Sequence, residues 1–167
     1  MRSKKAISLI LLFVFLLSCD SQESVRSAAG TSDDERPVIA LVMKSLANEF
    51  FVNMASGAER HQAERENYEL IINGIRNESD LAQQVALVDQ MISRGVDAIV
   101  IAPADSQVLV PALARASAAG IVIINIDNRL EPEVLEDYGL SITFIGPSNR
   151  AGAKMGGDFA LQNVVAG

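Results

Sequence analysis

Three short clusters hold the side chains best suited to chemistry: Asn48 with Phe50 and Phe51, Asp105 with Ser106, and Asp127 with Asn128 and Arg129. Asn and Asp together offer donors and acceptors side by side, which is what a rim of hydroxyls needs. A phenylalanine face covers C–H surface without asking for a hydrogen bond. The set suits a neutral polyol, polar on its rim and apolar on its faces. Plainer readings stand beside this one. Phe50 and Phe51 could both staple a helix to a sheet, Asp127 and Asn128 favour turns after a strand, and Asp105 and Ser106 favour helix caps. Helical neighbours point about 100° apart, so one phenylalanine can pack inward while the other faces a cleft.

Other chemistry is poorly supplied. The chain has one histidine and one cysteine, His61 and Cys19. Neither a Ser-His-Asp nor a Cys-His site is persuasive on that inventory, and no metal-ligand cluster is visible. No glycine-rich loop follows the first strand, which argues against dinucleotide and P-loop nucleotide sites. No cofactor is expected. The net charge is −7, and the first 18 residues hold three of the 14 Lys and Arg but none of the 21 Asp and Glu. The remainder is therefore still more acidic, and nucleic acid is an unsuitable partner.

The elements that must position these residues alternate along the chain. Val38 to Met43 is a short continuous apolar run, as expected of a strand buried on both faces. From Asn48 to Arg65, apolar residues fall at Phe51, Met54, Ala55 and Ala58, the spacing of an amphipathic helix. Residues 68–72 read as a second strand, and 79–94 as a second helix with Ser79 as N-cap and Gly95 as its left-handed stop. Residues 97–101, 121–126 and 142–145 read as further strands. A third helix runs from a cap at Asp105 or Ser106 to about Ala119, closed by Gly120, and another covers 151–163. This order predicts an α/β fold, a doubly wound parallel sheet with flanking helices. Ligands of such sheets sit beyond the carboxyl ends of the strands, which is where the three clusters fall.

The N-terminus carries a different message. Residues 1–18 have a basic start and an apolar run that is shorter than the ~20 residues needed to span a bilayer. They read as a secretory signal. Cys19 follows Leu16-Leu17-Ser18, which resembles a bacterial lipobox, so Cys19 is expected to be lipidated and to anchor the protein to a membrane outside the cytoplasm. Residues 19–36 are rich in Ser, Asp, Glu, Ala and Gly, and read as a flexible tether. Residues 37–146 are then the main lobe, and 147–167 a crossover with the first helix of a second lobe.

Four segments carry a family resemblance. VIALVMKSLANEFFVNMASGAE is similar to the opening of the ribose/galactose-type periplasmic sugar-binding proteins, the type I fold shared with the effector domains of LacI-like repressors. DAIVIAPADS and IVIINIDNR resemble that family's third and fourth strand ends, and FIGPSNRAGAKMGGDFA its first crossover into a second lobe. The resemblance implies that Asn48 hydrogen-bonds sugar hydroxyls, that Phe50 or Phe51 stacks on the ring, and that Asp127 accepts from ring hydroxyls. The family often has Arg directly after that Asp; here Asn128 intervenes before Arg129, and the role falls to one of these two. The implied function is capture of a sugar or small polyol for an ABC transporter, with its permease as partner and no catalysis. The alternative is a sensor of the same fold signalling to a chemoreceptor or kinase. Two-lobed members are much longer, so the chain is expected to be a fragment carrying the N-terminal lobe.

Overall fold

The computed structural model describes residues 36–165. In chain order these form β1 (Val38–Ser45), α1 (Glu49–Arg65), β2 (Glu69–Ile75), α2 (Leu81–Arg94), β3 (Ala98–Ile101), α3 (Val110–Ala118), β4 (Val122–Ile126), α4 (Pro132–Asp137), β5 (Thr143–Ile145) and α5 (Asn149–Val165). The strands lie in the order β2-β1-β3-β4-β5, and every pairing is parallel. Strand order reverses at β1, which has β2 on one side and β3 on the other. The expected doubly wound α/β sheet is what the chain forms. The expected signal, the tether and Cys19 lie outside the described residues, apart from the last tether residue, Arg36.

Alternation along β1 divides its apolar residues between two faces. Ala40 and Val42 join Ile99, Ile101 and Ile123 under α2 and α3, with Val88, Met91, Leu113 and Ala116 packed against them. Leu41 and Met43 point the other way, to Phe51 and Ala55 of α1. Among the described residues, α1 covers this second face on the β1–β2 side. Val122 and Ile145 are 58% and 59% exposed at the other side of the sheet. Met155, Phe159, Leu161 and Val164 of α5 are also exposed.

Local signals mostly fall where the residues predict. Gly95 (φ +67°) and Gly120 (φ +85°) follow α2 and α3 in left-handed conformation. Three details differ. The cap of α2 is Asp80, not Ser79: Asp80 Oδ1 accepts from the Gln83 N–H at 3.1 Å, while the Ser79 N–H and Oγ donate to Asn77 Oδ1. A carboxylate one residue nearer the helix is the better-placed acceptor. The third helix is shorter than predicted, because residues 106–109 form a turn before it. Asp105 caps that turn by accepting from the N–H groups of Gln107 and Val108, both at 2.8 Å. The short α4 was not anticipated.

Candidate functional site

The strand ends of β1, β3, β4 and β5 share one edge of the sheet. At the end of β1 the ladder is irregular. Met43 and Ser45 pair with consecutive residues of β2, Gly74 and Ile75, so Lys44 is an extra residue. Such a bulge re-aims the side chain it carries. Gly74 permits the close approach: a Cβ there would lie 2.7 Å from Leu46 Cγ and 3.0 Å from the Lys44 carbonyl oxygen. The re-aimed Lys44 side chain is only 10% exposed, and its Nζ lies 2.8 Å from Asp127 Oδ2. The contact is an ion pair without hydrogen-bond alignment, for the buried Oδ2 has no hydrogen-bond partner among the described residues. That oxygen keeps acceptor capacity in a place shielded from water.

Asp127 directly follows β4, with φ +62°. Left-handed backbone is uncommon outside glycine, and Asp tolerates it better than most. The loop that follows is tied from below by buried Asn125, whose Nδ2 donates to the Asn128 carbonyl at 2.7 Å and whose Oδ1 accepts from the Leu130 N–H at 2.9 Å. Asn128 Nδ2 donates to the Pro103 carbonyl at 3.3 Å, linking this loop to the end of β3. The Arg129 guanidinium lies 4.1 Å from the centre of the Phe144 ring, a cation–π stack. A Cβ at Gly146 would meet Phe144 Cζ at 2.7 Å, so any larger residue there would displace the ring.

Asp127, Asn128, Arg129 and Phe144 line an open cleft of about 350 Å³ whose other wall is Gly146 to Arg150. That is the lower end of the size range of small-ligand sites. The predicted residues at the end of β4 are thus together in one opening. The cluster at the start of α1 lies beside this cleft rather than in its lining. Phe51 is 4% exposed and belongs to the core, while Phe50 is 55% exposed, so the pair divides as the helical angle requires. Their rings meet edge to face at 5.1 Å, and Lys44 Nζ lies 5.6 Å from the centre of Phe51. A run of contacts therefore leads from Phe50 through Phe51 and Lys44 to Asp127. Asn48 is the N-cap of α1: its Oδ1 accepts from the Phe50 N–H at 3.0 Å. Its exposed side chain keeps both Nδ2 donors without a protein partner among the described residues. Ser106 stays in the turn with Asp105, whose capping N–H groups hold its carboxyl below the usual range.

Sequence reading missed Lys44 and Phe144. Lys44 directly follows an apolar run, but only the bulge turns it toward Asp127. Phe144 pairs with Asn125 across β4 and β5, a register the sequence does not display. His61 sits on the exposed face of α1, with Nδ1 2.9 Å from the Tyr68 hydroxyl. Among the described residues no group of three or more His, Cys, Asp and Glu is arranged to hold a metal ion, and no helix is long and apolar enough to cross a membrane.

Residues 39–167 match the family described as periplasmic binding protein domain. The chain is 46% identical over 165 residues to a D-ribose/D-allose-binding protein of Pseudomonas aeruginosa, covering 98% of this chain and 52% of that protein. It is 31% identical to a ribose import binding protein of Bacillus subtilis, covering 98% of the chain and 52% of the relative. Among solved structures, an ABC transporter solute-binding protein from Burkholderia multivorans superposes with a TM-score of 0.74 at 51% identity, over 77% of this chain and 46% of that one. An ABC transporter periplasmic solute-binding protein from Actinobacillus succinogenes with bound D-allose superposes with a TM-score of 0.60 at 39% identity, over 66% of this chain and 37% of that one. The chain spans about half the length of the curated relatives it matches. A parallel sheet in the order β2-β1-β3-β4-β5, a strand-edge cleft and these matches lead to one conclusion: the chain belongs to the periplasmic binding protein domain family, with the type I fold and the position of its N-terminal lobe.

Proposed function

We propose that the cleft at the carboxyl edge of the sheet binds a neutral aldose, of the ribose or allose kind, for delivery to an ABC importer. One observation carries this reading most: Asp127 lines the cleft with part of its carboxylate side chain exposed, while its buried Oδ2 is held by the nearly buried Lys44 ammonium. A sugar hydroxyl can donate to the part of that carboxylate that faces the opening, while Lys44 holds the buried side in place. Asn128 and Arg129 lie at the same opening, Asn48 stands with free donors at the neighbouring rim, and the exposed Phe50 ring offers an apolar face for the sugar's C–H surface. The names of the related proteins from Pseudomonas aeruginosa and Bacillus subtilis support the choice of ribose and allose.

The permease partner, the export signal at residues 1–18 and the acylation of Cys19 are parts of the same proposal. So is a second lobe facing this edge, entered by residues 147–167. No catalytic step is proposed. Calorimetric titration of the natural full-length protein with D-ribose, D-allose and a panel of other monosaccharides tests the binding; saturable heat with one of them is the expected result. The absence of heat across the panel would overturn it. Intact mass of the membrane-extracted protein, compared with Cys19→Ala, tests the anchor: loss of a lipid-sized increment in the variant is expected.

A further inference from the structure

Gln84 lies in the first turns of α2, fully buried at 0% exposure, among residues whose other inward members are Val88 and Met91. A buried amide is costly unless its polar atoms are paired. Here both Nε2 donors and the Oε1 acceptor are engaged at two strand ends. Its Nε2 donates to the Met43 carbonyl at 3.2 Å and to the Ala102 carbonyl at 2.9 Å, and its Oε1 accepts from the Ala104 N–H at 2.8 Å. The paired register of β1 and β3 ends at Val42 and Ile101, with a last bond from the Ala102 N–H to the Val42 carbonyl. Past that rung the two strands separate, and the Gln84 amide stands in for the next one. What it joins is specific. Met43 precedes the bulged Lys44, and Ala102 and Ala104 flank Pro103, whose carbonyl receives Asn128 Nδ2.

We propose that Gln84 is a positioning residue of the cleft, an assignment that rests on the sugar-binding reading above. It touches no ligand; it fixes the spacing between the strand end that carries Lys44 and the loop on which Asn128 leans. A purely apolar side chain could fill the same volume in the core without setting that spacing.

The test uses the natural full-length protein and three variants: Q84M, Q84E and the control V88A, which empties a buried position of the same helix away from the rim. All affinities for D-ribose and D-allose are read where circular dichroism shows the protein folded. Q84M is expected to weaken binding about tenfold or more, because small misplacements of a polar site are costly. V88A, although destabilised, is expected to stay within about twofold of the parent. Equal losses in Q84M and V88A, or Q84M binding within about twofold of the parent, would overturn the assignment. If Q84M does not fold, Q84E decides. Its carboxylate faces two carbonyls and repels them, and protonation restores one donor, so its affinity should recover as the pH falls from about 8 to about 5 while the parent's stays level. A flat profile for Q84E counts against the proposal. If the parent binds no sugar, the reading of the cleft fails separately. The side-chain amide signals of Asn128 then decide: a shift in Q84M but not in V88A supports positioning, and unmoved signals reject it.

Discussion

At the residue scale the adjacent phenylalanines separate two kinds of contribution. Phe51 fills space between Leu41, Met43 and Ala102, so Phe51→Ala should cost about 3 kcal/mol of stability, read by urea unfolding. Phe50 is more than half exposed, and Phe50→Ala should change stability by no more than about 0.5 kcal/mol. Its loss should instead weaken sugar binding about tenfold, since an aromatic face over C–H surface contributes on that scale. A variant pair with the opposite pattern would show that the exposed ring is not part of the site. Lys44 and Asp127 form the other informative pair. Each is the counter-charge of the other in a place with little water, so removing one leaves an uncompensated partner. Lys44→Met and Asp127→Asn should each lower stability by about 1 to 2 kcal/mol, below the figure for a fully buried pair because Asp127 is 24% exposed. The double variant should lose less than the two losses added, and a cycle with additive values would mean the pair is not coupled. Lys44 was illegible beforehand for a physical reason: alternation assigns it a face, and the bulge overrules that assignment.

At the element scale, the parts of the fold that announce themselves are those whose burial has a period. The strand β1 is apolar on both faces because both are covered, and α1 and α2 carry stripes that match the sheet beneath them. The ends of α2 and α3 were legible through Gly95 and Gly120, since few other residues take that backbone conformation readily. The helix α4 was not legible. It is six residues long and offers only Val134 and Leu135 to the core, too few to establish a period. The cap of α2 was misplaced by one residue because Ser79 and Asp80 are both good caps by type, and only the direction of the chain chooses between them. Asp105 shows what such a cap does. Its carboxyl is held below the usual range by the N–H of Val108 first and that of Gln107 second. The ionised form is thus favoured in the folded state. Its contribution is complete above the ordinary carboxylate pKa of about 4 and is lost as the pH falls through the lower folded value. Asp105→Ala should therefore cost about 1 kcal/mol at neutral pH, with the gap from the parent narrowing below about pH 4. A gap that stays constant in urea unfolding between neutral pH and about pH 3 would mean the charge plays no part.

At the scale of the whole molecule, the cleft has a floor and a side but stands open on the rest. The ends of the strands supply Asp127, Asn128 and Arg129, and Gly146 to Arg150 supply the facing wall. Established small-ligand sites cover roughly 70 to 90% of the ligand, and a cleft open on its remaining sides covers less. Water then competes for every hydroxyl contact made at the open side of the cleft. The same incompleteness appears on the sheet, where Val122 and Ile145 present apolar side chains that no described element covers. The two features lie apart, the cleft at the carboxyl edge and Val122 at the amino end of β4, and the relatives are about twice as long as the chain. The expected outcome is that the 167-residue chain binds D-ribose or D-allose at least ~100-fold more weakly than a form of the protein as long as its relatives, when both are titrated by calorimetry under one condition. Equal affinities would place the entire binding energy in this lobe, with the Asp127 cleft sufficient as it stands. A ratio of the expected size would mean that this edge supplies recognition, while exclusion of water comes from what closes over it.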